Sequence, residues 1–266
     1  MGMIHHYTTI ENLALILRNR NIRFNRLDRV DDLEEGNTVS NGINLSKYVF
    51  VSCWTESDEE SIPLWKLYAD GKSGVRISLE NNFFEEYDIK SSDRISVVDE
   101  TVKSILSFEE MFNKQYIFIS FVNDSNFFYR PIEYVDDIIT RTENVVQRRG
   151  DAIMISFGEV GKYKHKRWAF QDESRFVLTA IPKLYDIDIS NPLFSSMVVD
   201  SLKRNIELPF DDYFLGIKKS ALDKLVVTLC PSATVSQEIM IQSLIKEYAP
   251  NAIIKHSHLK QCIKLK

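Results

Sequence analysis

Three separated stretches of this 266-residue chain combine residue types that could bind a ligand and act on it: HHYTT (5–9), IPLWKLYADGKSGVRISLE (62–80) and KHKRWAFQDESRFVL (164–178). In the third stretch, Gln171 and Glu173 are two residues apart, so on an extended segment both side chains point to one side, which Arg175 continues. The carboxylate could there stabilise positive charge that develops on a ribose as a glycosidic bond breaks. The alternative is a surface ion pair between Glu173 and Arg175 beside a core tryptophan.

The other two stretches offer an aromatic ring and a histidine. Trp65 and Tyr68 lie three residues apart, which is the spacing of core aromatic residues on one helix face. Alternatively, Tyr68 presents a ring on which a planar heterocycle stacks. In the first stretch, one histidine could donate a hydrogen bond to a sugar hydroxyl or carbonyl. Because strand alternation places His5 and His6 on opposite faces, we expect only one of them to serve a site, while the other packs or lies exposed.

The elements that must position these residues can be read from the apolar spacing. Residues 10–17 have the spacing of a helix with one apolar face, and Thr8 with Glu11 fits the capping box that begins such a helix. A second helix is predicted within residues 61–71, where Ser61 can cap its first turn.

The remaining predicted elements follow from β-branched and aromatic runs and from helical spacing. Two further helices are predicted at 136–149 and around 241–248, and strands at 4–7, 22–24, 48–54, 74–80, 115–122, 131–136, 174–181, 223–230 and 251–257. Strands outnumber helices and do not alternate strictly with them, which predicts an α+β fold. No repeat or Pro/Gly/Ser-rich linker interrupts the chain, which predicts one domain over residues 1–266.

Composition limits the classes of function. The chain is 44% hydrophobic and 27% charged, with a formal net charge of −5, so general attraction to nucleic acid or an anionic membrane is not expected. The only role expected for nucleic acid is therefore that of an acceptor in a transfer reaction. The three cysteines are far apart without zinc-ligand spacing, and the N-terminus does not resemble a signal peptide. We expect a cytoplasmic protein that needs no metal. The common dinucleotide, P-loop, hydrolase and zincin motifs do not occur.

Six motifs together resemble a known family: HHYTTIENLALILRNRNIRF, VDDLEEG, VSCWTE, LWKLYADGKSGVRIS, KRWAFQDESRFVL and LDKLVVTLCPSA followed by HSHLK. Their order and spacing, over essentially the whole chain, are similar to a bacterial family catalogued as domain of unknown function 2971. That family resembles remote members of the ADP-ribosyltransferase superfamily. The resemblance implies a split mixed or antiparallel sheet with flanking helices, NAD as substrate, and a toxin or antiphage role.

The resemblance also implies roles for single residues. His6 would contact a ribose, Tyr68 would stack on nicotinamide, and Glu173 would stabilise the oxocarbenium ion. Four further residues lie at motif positions near the expected NAD site: Thr8, Trp65, Gln171 and Arg175. Of the two histidines, the resemblance selects His6 as the one that faces the ligand.

Two positions depart from the family pattern. The acidic loop reads DDLEE at 31–35 where the family has NDPxE, so the resemblance does not define the shape of this loop. Gln171 replaces the first acid of the family's E-x-E, which favours an acceptor other than arginine.

The leading hypothesis is therefore transfer of ADP-ribose from NAD to an unknown macromolecular or small-molecule acceptor. A second hypothesis is hydrolysis of NAD with water as acceptor. A third is a non-catalytic sensor that binds a nucleotide or nucleic acid, which the basic run KYKHKR at 162–167 favours slightly.

Overall fold

The computed structural model describes residues 2–90, 101–119, 128–149, 152–263 and 265. Its helices are α1 (Ile10–Asn19), α2 (Ile62–Tyr68), α3 (Phe108–Met111), α4 (Ile138–Thr142), α5 (Phe194–Lys203), α6 (Lys219–Leu222) and α7 (Val235–Tyr248). Its strands are β1 (Met3–Thr9), β2 (Asn21–Arg26), β3 (Val39–Ser40), β4 (Ile43–Asn44), β5 (Val49–Thr55), β6 (Gly74–Glu80), β7 (Tyr87–Lys90), β8 (Thr101–Ser104), β9 (Tyr116–Phe118), β10 (Tyr129–Pro131), β11 (Glu133–Val135), β12 (Val146–Arg149), β13 (Ala152–Ile155), β14 (Tyr163–His165), β15 (Glu173–Pro182), β16 (Asp212–Gly216), β17 (Val226–Leu229) and β18 (Ile253–His256). The α+β class predicted from the sequence is confirmed.

A ten-stranded mixed sheet organises the molecule. Its main path runs β10–β15–β5–β1–β6–β17–β18, while β2 pairs with β5 and β16, and β9 pairs with β15. The pair β17–β18 is parallel, and the other pairs of this sheet are antiparallel. The large apolar core lies against this sheet and includes a group of packed phenylalanines, among them Phe24, Phe83, Phe84, Phe128 and Phe176.

The sheet has a gap beside the middle of β5. At one end of β5, Thr55 pairs with His5 of β1 in a single register pair. At the other end, Val51 and Phe50 pair with β2. Between these contacts, residues 52–54 have no strand partner on that edge within the described part of the chain. We call this gap the notch.

Helix α1 connects β1 to β2. Its buried residues Ile10, Leu13 and Leu17 recur at helical spacing, as predicted. The predicted cap is wrong by one residue. Thr9 caps the helix by accepting a hydrogen bond from the Asn12 backbone N–H at 3.2 Å, whereas Thr8 is buried within β1.

The predicted helix at 136–149 is also wrong. Asp137 caps a helix of only five residues, α4, and the chain then continues into β12, which pairs with β13. The backbone leaves the helix where Ser40 Oγ donates to the Glu143 carbonyl at 2.7 Å and accepts from the Val146 N–H at 3.0 Å. These bonds to a distant segment replace helical ones, an effect that local spacing cannot predict.

Most other predicted elements are confirmed within one to three residues. The sequence patterns place helix α2 and eight strands correctly: β1, β2, β5, β6, β11, β15, β17 and β18. Helix α7 ends as predicted but begins at Val235, about six residues before the predicted start. The strand predicted at 115–122 is confirmed for β9, and residues 120–122 lie outside the described residues. The sequence patterns missed the helices α3, α5 and α6 and the strands β3, β4, β7, β8, β10, β12, β13, β14 and β16.

Gly74 allows the end of α2 to approach the first residue of β6. A Cβ atom at Gly74 would lie 2.4 Å from the Ala69 Cβ and 2.5 Å from its Cα. We therefore expect Gly74→Ala to lower the free energy of unfolding by about 1–3 kcal/mol through overpacking. Denaturant unfolding measures this effect. Gly2→Ala is the matched control, because no atom lies within 4 Å of its added Cβ, and an equal loss in both variants would contradict the expectation.

Candidate functional site

A cavity of about 210 Å³, partly open to solvent, lies at the notch. The residues that line it come from β1, β2, β5, α2, β14, β15 and the loop after β2. They are His5, His6, Tyr7, Arg23, Asn25, Arg29, Val30, Asp31, Val51, Ser52, Cys53, Trp54, Thr55, Leu64, Tyr68, Lys164, Gln171, Glu173 and Arg175. Five of the seven residues predicted from the sequence therefore meet at one cavity.

His6 fills the notch. Its Nδ1 donates to the Cys53 carbonyl at 2.8 Å, which provides a donor where β5 has no neighbouring strand. This bond assigns the proton to Nδ1 and leaves Nε2 as an acceptor in the neutral ring. Burial lowers the pKa of His6, and the bond to the Cys53 carbonyl offsets only part of that effect. The neutral form therefore predominates at neutral pH.

Contrary to the expectation from strand alternation, His5 also lines the cavity, but both of its ring nitrogens are bonded. Nε2 donates to the Asp58 carboxylate at 3.1 Å, and Nδ1 accepts from the Ser78 hydroxyl at 2.7 Å. No described residue bonds to Nε2 of His6, so His6 has the ring nitrogen that a ligand can use.

The lowered histidine pKa values predict a pH dependence of stability. Burial lowers the pKa of both His5 and His6 from 6.5, so the unfolded chain binds more protons than the folded chain below that pH. We therefore expect the free energy of unfolding to fall as the pH is lowered from about 7.5 to about 5.5. In His6→Asn, whose amide can still donate to Cys53, the fall should be smaller in urea unfolding. His258→Asn, at an exposed position, is the control, and a wild-type slope in His6→Asn would contradict the expectation.

Tyr68 reaches the cavity from the last turn of α2. Ser61 caps this helix, as predicted, and Gly71 closes it with a hydrogen bond from its N–H to the Trp65 carbonyl at 3.0 Å. The Tyr68 hydroxyl accepts from Gln171 Nε2 at 2.6 Å. Burial raises the pKa of Tyr68 well above its usual value, so the phenol keeps its proton and can donate a hydrogen bond to a ligand.

Trp65 and Thr8 are not brought to the cavity. Trp65 is fully buried in a small cluster, where it packs edge-on against Tyr7 at 4.9 Å and donates from Nε1 to Glu60 at 3.0 Å. Its contribution is therefore to hold α2, and with it Tyr68, against β1. Thr8 is buried in β1 and does not line the cavity.

Glu173 belongs to a buried charge cluster, which we define as Glu35, Lys164, Glu173 and Arg175. Arg175 Nε donates to Glu173 Oε1 at 2.8 Å, and the same guanidinium binds both oxygens of Glu35. Lys164 Nζ donates to Glu173 Oε2 at 2.8 Å. Arg175 is 0% and Glu35 1% exposed, so the cluster is closed to solvent on that side. The Glu173–Arg175 pair is thus internal rather than on the surface.

The charges within the cluster determine its ionisation. Burial alone would raise the pKa of Glu173, but Arg175 and Lys164 outweigh it and lower the pKa to about 2. Burial raises the pKa of Glu35, because the attraction of Arg175 and Lys164 compensates less there and Glu173 repels a second negative charge. Glu173 therefore keeps its negative charge over the whole neutral range.

Gln171 joins Tyr68 to the charge cluster. Its Oε1 accepts from Lys164 Nζ at 2.6 Å, while its Nε2 donates to Tyr68. The extended geometry expected for Gln171 and Glu173 is wrong. Gln171 ends a 3₁₀ helix, and Asp172 adopts φ +43° before β15 begins. The two side chains converge through Lys164 rather than by strand alternation.

Several residues of the site were missed by the sequence patterns. Glu35 and Lys164 complete the charge cluster, and Arg23, Asn25 and Arg29 line the cavity from β2 and the following loop. Glu35 lies in an acidic run and Lys164 in a basic run, and both runs have the composition of solvated loops.

Comparisons with protein-family models, with curated proteins and with solved structures found no match. In the described part of the chain, no helix has the length and apolar character to cross a membrane. The same residues contain no group of three or more histidine, cysteine or acidic side chains placed to hold a metal ion.

Proposed function

We propose that the protein binds NAD at the notch and transfers its ADP-ribose to an acceptor. The observation that carries this proposal is the convergence of His6, Tyr68 and Glu173, from three distant parts of the chain, on one cavity. A histidine acceptor can bind a ribose hydroxyl, an aromatic ring can stack on nicotinamide, and an ionised carboxylate can stabilise positive charge at ribose C1′. We further propose that the notch corresponds to the split of an ADP-ribosyltransferase-like sheet.

Each group has one role in the proposed reaction. His6 Nε2 accepts a hydrogen bond from a ribose hydroxyl, and the Tyr68 ring stacks on the nicotinamide. The bond between ribose C1′ and the nicotinamide nitrogen breaks, and its electron pair leaves with the neutral nicotinamide. Glu173 stabilises the resulting oxocarbenium ion electrostatically. The acceptor then bonds to C1′ through a lone pair and loses a proton.

Water remains the second candidate acceptor, because the cavity is partly open to solvent. The products separate the two reactions. Transfer yields nicotinamide and a covalently modified acceptor, whereas hydrolysis yields nicotinamide and free ADP-ribose in equal amounts.

The stacking role of Tyr68 predicts a specific binding defect. We expect Tyr68→Ala to weaken NAD binding about tenfold, because the ring contact is lost, and Tyr68→Phe to stay within about threefold of wild type. Calorimetric titration with NAD measures both. Tyr185→Ala is the matched control, since Tyr185 is 62% exposed and does not line this cavity. Unchanged affinity in Tyr68→Ala would contradict the proposed orientation of NAD.

A further inference from the structure

The buried charge cluster carries two carboxylates and two cations beside the reacting end of the cavity. Each carboxylate oxygen of Glu173 accepts from a different cation. Oε1 accepts from Arg175, which also binds Glu35, and Oε2 accepts from Lys164. Lys164 Nζ also lies 3.8 Å from Glu35 Oε2. With all four groups ionised the charges of the cluster cancel, so the loss of any one group leaves a net charge next to the ligand.

We infer that Lys164 and Glu35 set the preference of the cavity for a cationic over a neutral ring, through the net charge of the cluster that they share with Glu173 and Arg175. The inference rests on the proposed function, because the nicotinamide ring is positively charged in NAD⁺ and neutral in NADH. Removal of the Glu35 charge leaves the cluster at +1 and disfavours the cationic ring. Removal of the Lys164 charge leaves it at −1 and favours that ring.

Opposite signs distinguish this role from a purely structural one. A substitution that only loosened the site would weaken binding of both dinucleotides and leave the ratio of their dissociation constants unchanged. In the low-polarity interior, a change of one unit of charge in the cluster changes the affinity of the cavity for a cationic ring by about tenfold.

The experiment measures the dissociation constants of NADH and of carba-NAD⁺ by calorimetry at about pH 8. Carba-NAD⁺ keeps the cationic ring but has a methylene in place of the ribose ring oxygen, so no oxocarbenium ion forms and the ligand stays intact. The variants are Glu35→Gln, Lys164→Met and Lys164→Arg. The matched control is Lys166→Met, at an exposed lysine that pairs with Asp136 outside the cavity.

We expect the Kd ratio of NADH to carba-NAD⁺ to fall about tenfold in Glu35→Gln and to rise about tenfold in Lys164→Met. Lys164→Arg keeps the charge of the cluster, so its Kd ratio should stay within about twofold of wild type, as should that of the control. If Lys164→Met fails to fold, the ratio in Glu35→Gln decides alone. Equal ratios in all variants, or shifts of the same sign, would overturn this inference only. If neither ligand binds wild-type protein, the proposed function itself fails.

Discussion

Glu173→Gln is expected to lower the rate constant of nicotinamide release by about 100-fold or more, the magnitude typical for loss of one electrostatic contact to a transition state. The amide has nearly the same shape as the carboxylate but no negative charge to stabilise the oxocarbenium ion. The loss of that charge also leaves the charge cluster at +1, so we expect the Kd for NAD to rise by about tenfold, a smaller effect than that on the release rate. Single-turnover release measures the first quantity and calorimetry the second.

Glu109→Gln is the matched control for this substitution, because Glu109 is exposed on α3 and does not line the cavity. It should retain wild-type release. Release that survives in Glu173→Gln at the wild-type rate would remove Glu173 from the reaction and reduce it to a structural member of the charge cluster.

Arg175→Met is expected to have the largest effect on stability. The guanidinium is fully buried and bonds to Glu173 and Glu35 at once, so its loss leaves two buried carboxylates with only Lys164 to compensate them. Removal of one partner of a buried ion pair typically costs about 3–5 kcal/mol. Denaturant unfolding should show a loss of this size. Arg23→Met removes an exposed ion pair with Asp212 and should cost no more than about 1 kcal/mol.

A second substitution tests whether charge causes the loss in Arg175→Met. Adding Glu35→Gln removes one of the uncompensated carboxylates, so the double variant should be more stable than Arg175→Met alone. If the second change adds to the loss instead, packing rather than charge determines the contribution of Arg175.

The local part of the site could be predicted from the sequence. Helix α2 follows from its apolar spacing, its Ser61 cap and its terminal glycine, and these features place Tyr68 at a helix end. The physical causes of this helix lie within a few residues of their effect, so a short window of sequence contains them. The alternation of β1 did not separate the two histidines, because both His5 and His6 line the cavity and only their hydrogen-bond partners distinguish them.

The long-range part could not be predicted. Glu35 is 140 residues from Arg175, and nothing local separates this buried acid from the exposed Glu34 beside it. The notch depends on the registers of β1 and β2 against β5, because both strands pair with the same edge of β5 while β15 pairs with the other edge. Trp65 was predicted at the site but lies in the core, since helical spacing cannot distinguish a core aromatic residue from one that faces a ligand.

The most direct test of the account is the release of nicotinamide from NAD by the wild-type protein, with Glu173→Gln in parallel and protein-free buffer as blank. The account predicts release above the blank, at least stoichiometric with protein, that falls to near the blank in Glu173→Gln. Tight NAD binding without any release, in the presence of water and of a crude mixture of acceptors, would contradict it and leave the notch as a binding site without this chemistry.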